Sequence, residues 1–309
     1  MSVPEVYNVE SYINVIEQMR NNYSYTVPLT GVSGDISHTI TPRYIFRGHG
    51  NHNEYPLLPG ILRYKHLKNG NIVGQYSQFE CEVLMDFISE AKRYIPGVHE
   101  NDVTAWLEIA QHFAVPTRLL DFTENPLVAL YFACCDKSDC DASVWIINQD
   151  AYNTKFFNTP TILAPQNATM VSTIVDREII RQDFLNHNHP NDIQYPIIYK
   201  PKHREERMAA QSSLFMLWGA RRNKLTDFFN IEEWILFNPP VFNPQNRVIG
   251  YISIPSIAKE RILNQLDLLG VNEKLIYPGL DGVGKYIKQK YVLEYNVSDA
   301  VALGKVTPQ

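Results

Sequence analysis

The sequence predicts an α+β fold: a single large domain with a mixed or split β-sheet core flanked by helices. Three observations point there. Helix-like and strand-like segments alternate without the regular βαβ rhythm of a doubly wound parallel sheet. The 309 residues, 45% hydrophobic and 20% charged, have the makeup of a globular chain able to bury a substantial core. No stretch of linker composition divides it.

The elements follow in order. In residues 9–20, Val9, Tyr12, Ile13, Ile16 and Met19 share one helical face. A Gly/Ser/Thr-rich stretch, 21–41, reads as a loop. "YIFRGHG" (44–50) opens as a strand of aromatic and β-branched residues. Residues 56–76 read as irregular, and "SQFE" (77–80) has the form of a capping box for a helix that stops near Pro96. Asp102 caps a helix running through His112. "TRLLDF" (117–122) reads as a short strand. Asn125 caps a buried apolar helix with Pro126 at its first position. "SVWIINQ" (143–149), "QSSLFMLWG" (211–219), "WILFN" (234–238) and "VIGYISI" (248–254) read as strands. Pro255 opens a helix ended by Gly270, and "LDGVGKYIKQ" (280–289) suggests a last short helix. Residues 150–200 give little pattern. The chain divides into an N-terminal helix and loop (1–40), a main domain (41–290) and a tail (291–309).

Composition excludes several classes. A net charge of −5 argues against a protein that coats nucleic acid, while leaving room for a local basic cleft. No apolar run reaches the roughly 18–20 residues that span a bilayer. "MSVPEVYNVE" lacks a signal-peptide pattern, and Cys81, Cys134, Cys135 and Cys140 make no disulfide framework, so a cytoplasmic, membrane-free setting is expected. "CCDKSDC" lacks zinc-knuckle spacing, and no further ligand accompanies His49 and His52, so no metal site is expected. "HNH" (187–189) is too short a string to indicate a nuclease.

Three stretches put polar groups at or beside strands: "FRGHG" (46–50), "QHFAVPTRLLDFTENP" (111–126) and "ERMAAQSSLF" (206–215). Arg47 supplies a rigid fork of donors suited to phosphate or carboxylate, and Gly48 beside it lets a ligand approach the backbone. The plain structural alternative is an ion pair of Arg47 with Asp121. Asp121 and Thr123 also suit turn hydrogen bonds, and Asn125 a helix cap. "ARRNK" (220–224) is a small basic cluster that reads as a solvated loop.

Together these stretches resemble the FRG domain family, named for its Phe-Arg-Gly tripeptide. "YIFRGHG" resembles its opening motif, "AQHFAVPTRLLDFTENPLVALYFA" (110–133) its central signature and "ERMAAQSSLF" a third motif. "GVNEKLIYPGLDGVGKYIK" (270–288) resembles its C-terminal end, so the likeness spans roughly residues 40 to 290. A weaker similarity connects the same order of motifs to Arg-Ser-Glu ADP-ribosyltransferases. It implies an ADP-ribosyltransferase-like fold and NAD as substrate. Arg47, Gly48, His49, Thr117, Arg118 and Thr123 then bind NAD, and Arg47, Thr117, Asp121 and Gln211 carry the chemistry. The resemblances imply a bacterial toxin or antiphage effector, an RNA or protein acceptor, and an antitoxin or inhibitor partner. The sequence departs from the transferases at Gln211, where they have glutamate. A neutral amide cannot serve as a base. Another carboxylate, from Asp121, Glu124 or Glu206, takes that task, or the acceptor needs little activation, or the protein is a non-catalytic module sensing a nucleotide or anion. A metal-dependent nuclease built on Asp121 and Glu124 ranks below both.

Overall fold

Asn8 opens the first helix, α1 (Val9–Tyr23), through a capping box: its side chain accepts from the Ser11 amide at 2.7 Å, and Ser11 Oγ accepts from the Asn8 amide at 3.3 Å. Val9, Tyr12, Ile16, Met19 and Tyr23 form its buried face, while Ile13, expected on that face, is exposed. The computed structural model describes residues 3–28, 37–63, 67–68, 71–72, 76–180, 193–201, 206–237 and 246–288. The stretch expected as a loop after α1 holds an antiparallel pair, β1 (Tyr25–Pro28) with β2 (Ser37–Ile40). The β-branched and aromatic residues of "YTVP" and "SHTI" favour strands despite the polar composition around them.

The chain continues with β3 (Tyr44–His49), α2 (Gly60–Arg63), the two-residue strands β4 (Leu67–Lys68) and β5 (Asn71–Ile72), α3 (Tyr76–Ala91) and α4 (Val103–His112). Next come β6 (Leu119–Thr123), α5 (Pro126–Cys134), β7 (Ala142–Asn148), α6 (Gln149–Phe157) and α7 (Ala164–Ile174), which runs on as a π-helical stretch, Val175–Ile180. Then follow β8 (Ile197–Tyr199), α8 (Glu206–Ala210), β9 (Ser213–Leu217), β10 (Ile249–Ile254), α9 (Lys259–Leu268) and α10 (Glu273–Ile276). Residues 280–288 are helical as well.

Several local expectations change. Ser77 lies inside α3, so "SQFE" is no capping box. The strand expected at 117 starts at Leu119, and Gln211 lies in a turn before β9, where Ser212 has φ +48°. Trp234 makes only an isolated bridge to Ile249 in place of the expected strand, and Asn238 lies outside the described residues, as do "HNH", Gln289 and the tail 291–309. The Asn125 cap forms as expected, accepting from the Leu127 amide at 2.9 Å with Pro126 opening the helix.

Six strands form one sheet in the order β10-β7-β3-β6-β9-β8, antiparallel throughout. β3 pairs with β7 from Tyr44 to His49. With β6 it shares one pair, Phe46 and Thr123. The sheet is therefore whole on either side of that line and forks along it.

Side-chain parity assigns the layers. Ile45, Trp145, Ile147, Leu120, Phe122, Leu214 and Met216 share a cluster on one face, which spans the fork. The opposite face has two separate covers. Tyr44, Phe46, Val144, Ile146, Ile252 and Ile254 pack with residues of α1, α5 and α9. Leu119, Phe215, Leu217, Ile197 and Tyr199 pack with residues of α3, α4 and α7. A notch is left between these two helical layers, above the fork. α1 belongs to the first cover: the Tyr12 hydroxyl donates to the Pro126 carbonyl at 3.0 Å, and the Val9 amide to Gln265 Oε1 at 2.9 Å.

Candidate functional site

The notch is a cleft of about 620 Å³, within the roughly 300–1,000 Å³ range of small-molecule and cofactor sites. Its lining includes Phe46, Arg47, Gly48 and His49 of β3, Asp121 and Thr123 of β6, and Gln211. Arg63, Gln111, Phe132, Arg207 and Tyr277 join them. A smaller cavity of about 170 Å³ shares Arg47, Arg63, Gln111 and Asp121 with it, and Thr117 lines that one.

Arg47 bridges the fork. Its Nη1 donates to the main-chain carbonyl of Asp121 at 2.6 Å, and the same nitrogen stands 3.9 Å from the Asp121 carboxylate. Arg47 Nε donates to His49 Nε2 at 3.0 Å. His49 must therefore be neutral, with the lone pair on Nε2. Burial, then the charges of Arg47 and Arg63, push its imidazole down to about 2. Burial also pulls the Arg47 guanidinium down to about 10, opposed by Asp121, which leaves it cationic at neutral pH.

Gly48 meets a steric demand. A Cβ at that position would overlap the Ala129 carbonyl oxygen and come within 2.5 Å of the Ala133 nitrogen. Only glycine lets α5 lie this close to β3, and α5 is one wall of the cleft. Thr123 ties two motifs together: its buried hydroxyl donates to the Gln211 carbonyl at 2.6 Å and accepts from the Asn125 amide at 3.0 Å. Gln211 extends the link, with Nε2 donating to the Ile276 carbonyl of α10 at 2.9 Å. Tyr277 follows directly, and the Arg207 guanidinium sits over its ring at 4.6 Å.

Gln111 reaches the cleft because α4 ends sharply. The Val115 amide donates to the Ala110 carbonyl at 2.9 Å and the Ala114 amide to the Gln111 carbonyl at 3.1 Å, a Schellman turn with Ala114 at φ +60°. The turn sends the chain back into β6 and places Gln111 Nε2 2.7 Å from Asp121 Oδ2. Gln111 stands inside the second motif but reads there as the polar tail of a helix. Arg207 and Tyr277 stand inside the third and the C-terminal motif stretches without being singled out there, and Arg63 lies outside every motif.

The structure thus brings Arg47, Gly48, His49, Asp121, Thr123 and Gln211 to one cleft, with Thr117 at its margin. It places Arg118 elsewhere. The Arg118 side chain is 5% exposed and paired with Glu80 of α3, 2.6 Å from Nη2 to Oε2. Glu80 also accepts from the Arg118 amide at 2.9 Å. Its role here is to join α3 to the start of β6. Of the alternative carboxylates, Glu124 pairs with Lys200 at 2.9 Å and Glu206 is exposed on α8, so neither lines the cleft.

His52 stacks on Tyr251 at 4.5 Å and on Trp145 at 5.8 Å. Among the described residues no group of three or more His, Cys, Asp or Glu side chains is placed to hold a metal ion. No described helix is long and apolar enough to cross a membrane.

No curated protein and no solved structure matches the chain. The family model of the FRG domain matches residues 42–142, a span that holds Arg47, Gly48, His49, Gln111, Thr117, Asp121 and Thr123 and stops short of Gln211. Over those residues the chain is similar to the FRG domain family.

Proposed function

We propose that the cleft binds NAD and that the protein transfers ADP-ribose to a macromolecular acceptor. The observation that carries this reading is Arg47 spanning the β3–β6 fork inside a cleft large enough for a dinucleotide. Arg47 and Arg63 both line the cleft and the adjoining cavity, which suits a diphosphate. Arg207 and Tyr277 stand with Gln211 on a separate part of the lining. Apolar surface from Phe46, Val128, Phe132 and Phe215 suits a planar base or nicotinamide ring.

The chemistry asked of such a site is modest. The bond from the ribose C1′ to nicotinamide breaks, and neutral nicotinamide leaves with the bonding electron pair. A nucleophilic atom of the acceptor bonds to C1′ and gives up a proton. The transition state is oxocarbenium-like, so the protein's work is to hold the diphosphate, orient the ribose and stabilise positive charge. An ADP-ribosyltransferase-like arrangement of the forked sheet belongs to the same proposal.

The test is direct: incubate the protein with NAD and cell extract and measure free nicotinamide, following labelled ADP-ribose into nuclease-sensitive and protease-sensitive fractions. Turnover into either fraction supports the proposal and names the acceptor as RNA or protein. A second reading, a non-catalytic nucleotide sensor, draws on the Gln211 amide nitrogen being engaged by the Ile276 carbonyl. Saturable NAD binding with no nicotinamide release favours the sensor and rejects transfer.

A further inference from the structure

Asp121 ends a hydrogen-bonded chain whose direction is fixed from one end. The Leu119 main-chain N–H donates to Thr117 Oγ1 at 3.1 Å. A carboxylate only accepts, so the Gln111 NH₂ faces Asp121 Oδ2, at 2.7 Å. Gln111 Oε1 is then turned to Thr117, which gives its own hydroxyl proton there, at 2.5 Å. The amide orientation follows from the network. The whole chain is built on the turn between α4 and β6. It terminates on a carboxylate that is half exposed and lines the cleft beside Arg47.

Such a chain fixes one oxygen of Asp121 and leaves the other for a ligand. Among the described residues the other carboxylate in the lining, Asp136, receives the Tyr55 hydroxyl at 2.9 Å beside Gly50. We infer that Asp121 takes the place of the glutamate that Gln211 cannot supply, holding the nicotinamide ribose hydroxyl and receiving the acceptor's proton. Gln111 is the positioning residue that acts through it. The inference rests on the NAD reading of the cleft and adds to it the residue that bears the negative charge and the residue that aims it.

The experiment exchanges the two groups. In Gln111→Glu with Asp121→Asn, residue 111 still accepts from Thr117 and now accepts from the amide at 121. The chain is preserved, and the carboxylate moves one link along it, off the position beside Arg47. Nicotinamide release is measured with KM for NAD and a thermal melt. The expected result is a melting temperature within a few degrees of wild type, KM changed by no more than about threefold, and turnover reduced at least about 100-fold. Gln111→Ala alone lowers turnover roughly tenfold at unchanged KM, and costs nothing further once Asp121→Asn is present. Wild-type turnover in the exchanged protein overturns the inference. So do losses from Gln111→Ala and Asp121→Asn that multiply. Should the exchanged protein not fold, the comparison of Asp121→Asn with and without Gln111→Ala decides by the same criterion. A wild-type protein that releases no nicotinamide removes the NAD reading and this inference together. Release by wild type and exchanged protein alike removes the inference alone.

Discussion

The Arg47 guanidinium donates to the main-chain carbonyl of Asp121 at 2.6 Å, across the line where β3 and β6 cease to pair. If the register continued past Phe46 and Thr123, Gly48 would face Asp121. The side chain of Arg47 makes a bond there that the backbone does not. With Nε given to His49, two of the five guanidinium N–H donors serve the fold. Arg47 also lines the cleft. One residue therefore keeps the sheet open at a defined width and presents charge in the opening.

Arg47→Ala and Arg47→Lys separate these tasks. Lysine keeps the charge but lacks the planar fork that reaches Asp121 and His49 together. Both variants are expected to remain folded, losing about 1.5–3 kcal/mol for the charge-assisted bonds. Nicotinamide release is expected to fall at least about 100-fold in each. A well-folded Arg47→Ala protein with full turnover rejects the assignment of Arg47 to the NAD site.

His49 ties stability to pH through the same contact. Its folded-state value, about 2, lies below the ordinary histidine value near 6.5. The unfolded chain therefore takes up a proton below pH 6.5 that the folded protein refuses. The stability contributed by neutral His49 is complete above that pH and is lost as pH falls from 6.5 toward 2, at up to about 1.4 kcal/mol per pH unit. His52 is also shifted down by burial and adds to the slope. Urea unfolding of wild type and His49→Gln between pH 7 and 5 isolates the His49 share. The expected difference in slope approaches one proton, and identical slopes would show that His49 titrates normally.

Which parts of this were legible depended on how far apart the cooperating residues lie in sequence. Arg47, Asp121 and Thr123 stand in short strand motifs among apolar neighbours, where a charged or polar group asks for a reason other than core packing. The fork was not legible, since pairing between distant strands leaves no local pattern, and the expected mixed or split sheet is antiparallel throughout. Arg118 illustrates the opposite case. Its residue type and motif suggest a ligand, but Glu80, from another helix, meets it in the interior at 2.6 Å. Arg63, Arg207 and Tyr277 reach the cleft through tertiary packing alone. The β1–β2 pair was concealed by polar composition around two short runs of strand formers. Gln111 was hidden by its neighbours, because the Schellman turn that aims it uses Ala114 where glycine is the usual signal.

Gly48→Ala tests whether this glycine serves packing. The added methyl meets main-chain atoms of Ala129 and Ala133, which no rotamer change can move. α5 must shift off β3, at a cost of roughly 1–3 kcal/mol for overpacking. The lining residues Val128, Ala129 and Phe132 move with it, so turnover and stability are expected to fall together. Loss of turnover with unchanged urea stability would assign Gly48 to ligand contact instead.

Glu80→Gln tests the placement of Arg118 without touching the cleft. The substitution keeps an oxygen for the Arg118 amide, which donates at 2.9 Å, but removes the charge that the buried guanidinium needs. Breaking one side of a buried pair costs about 3–5 kcal/mol. The loss is expected in urea unfolding, and Arg118→Ala is expected to show a similar one because it strands the Glu80 carboxylate. Affinity for NAD, measured by calorimetry well below the melting temperature, is expected to stay within about twofold of wild type for Glu80→Gln, since neither partner lines the cleft. A large fall in affinity with little change in stability would return Arg118 to the binding site and require the α3–β6 junction to open when the ligand enters.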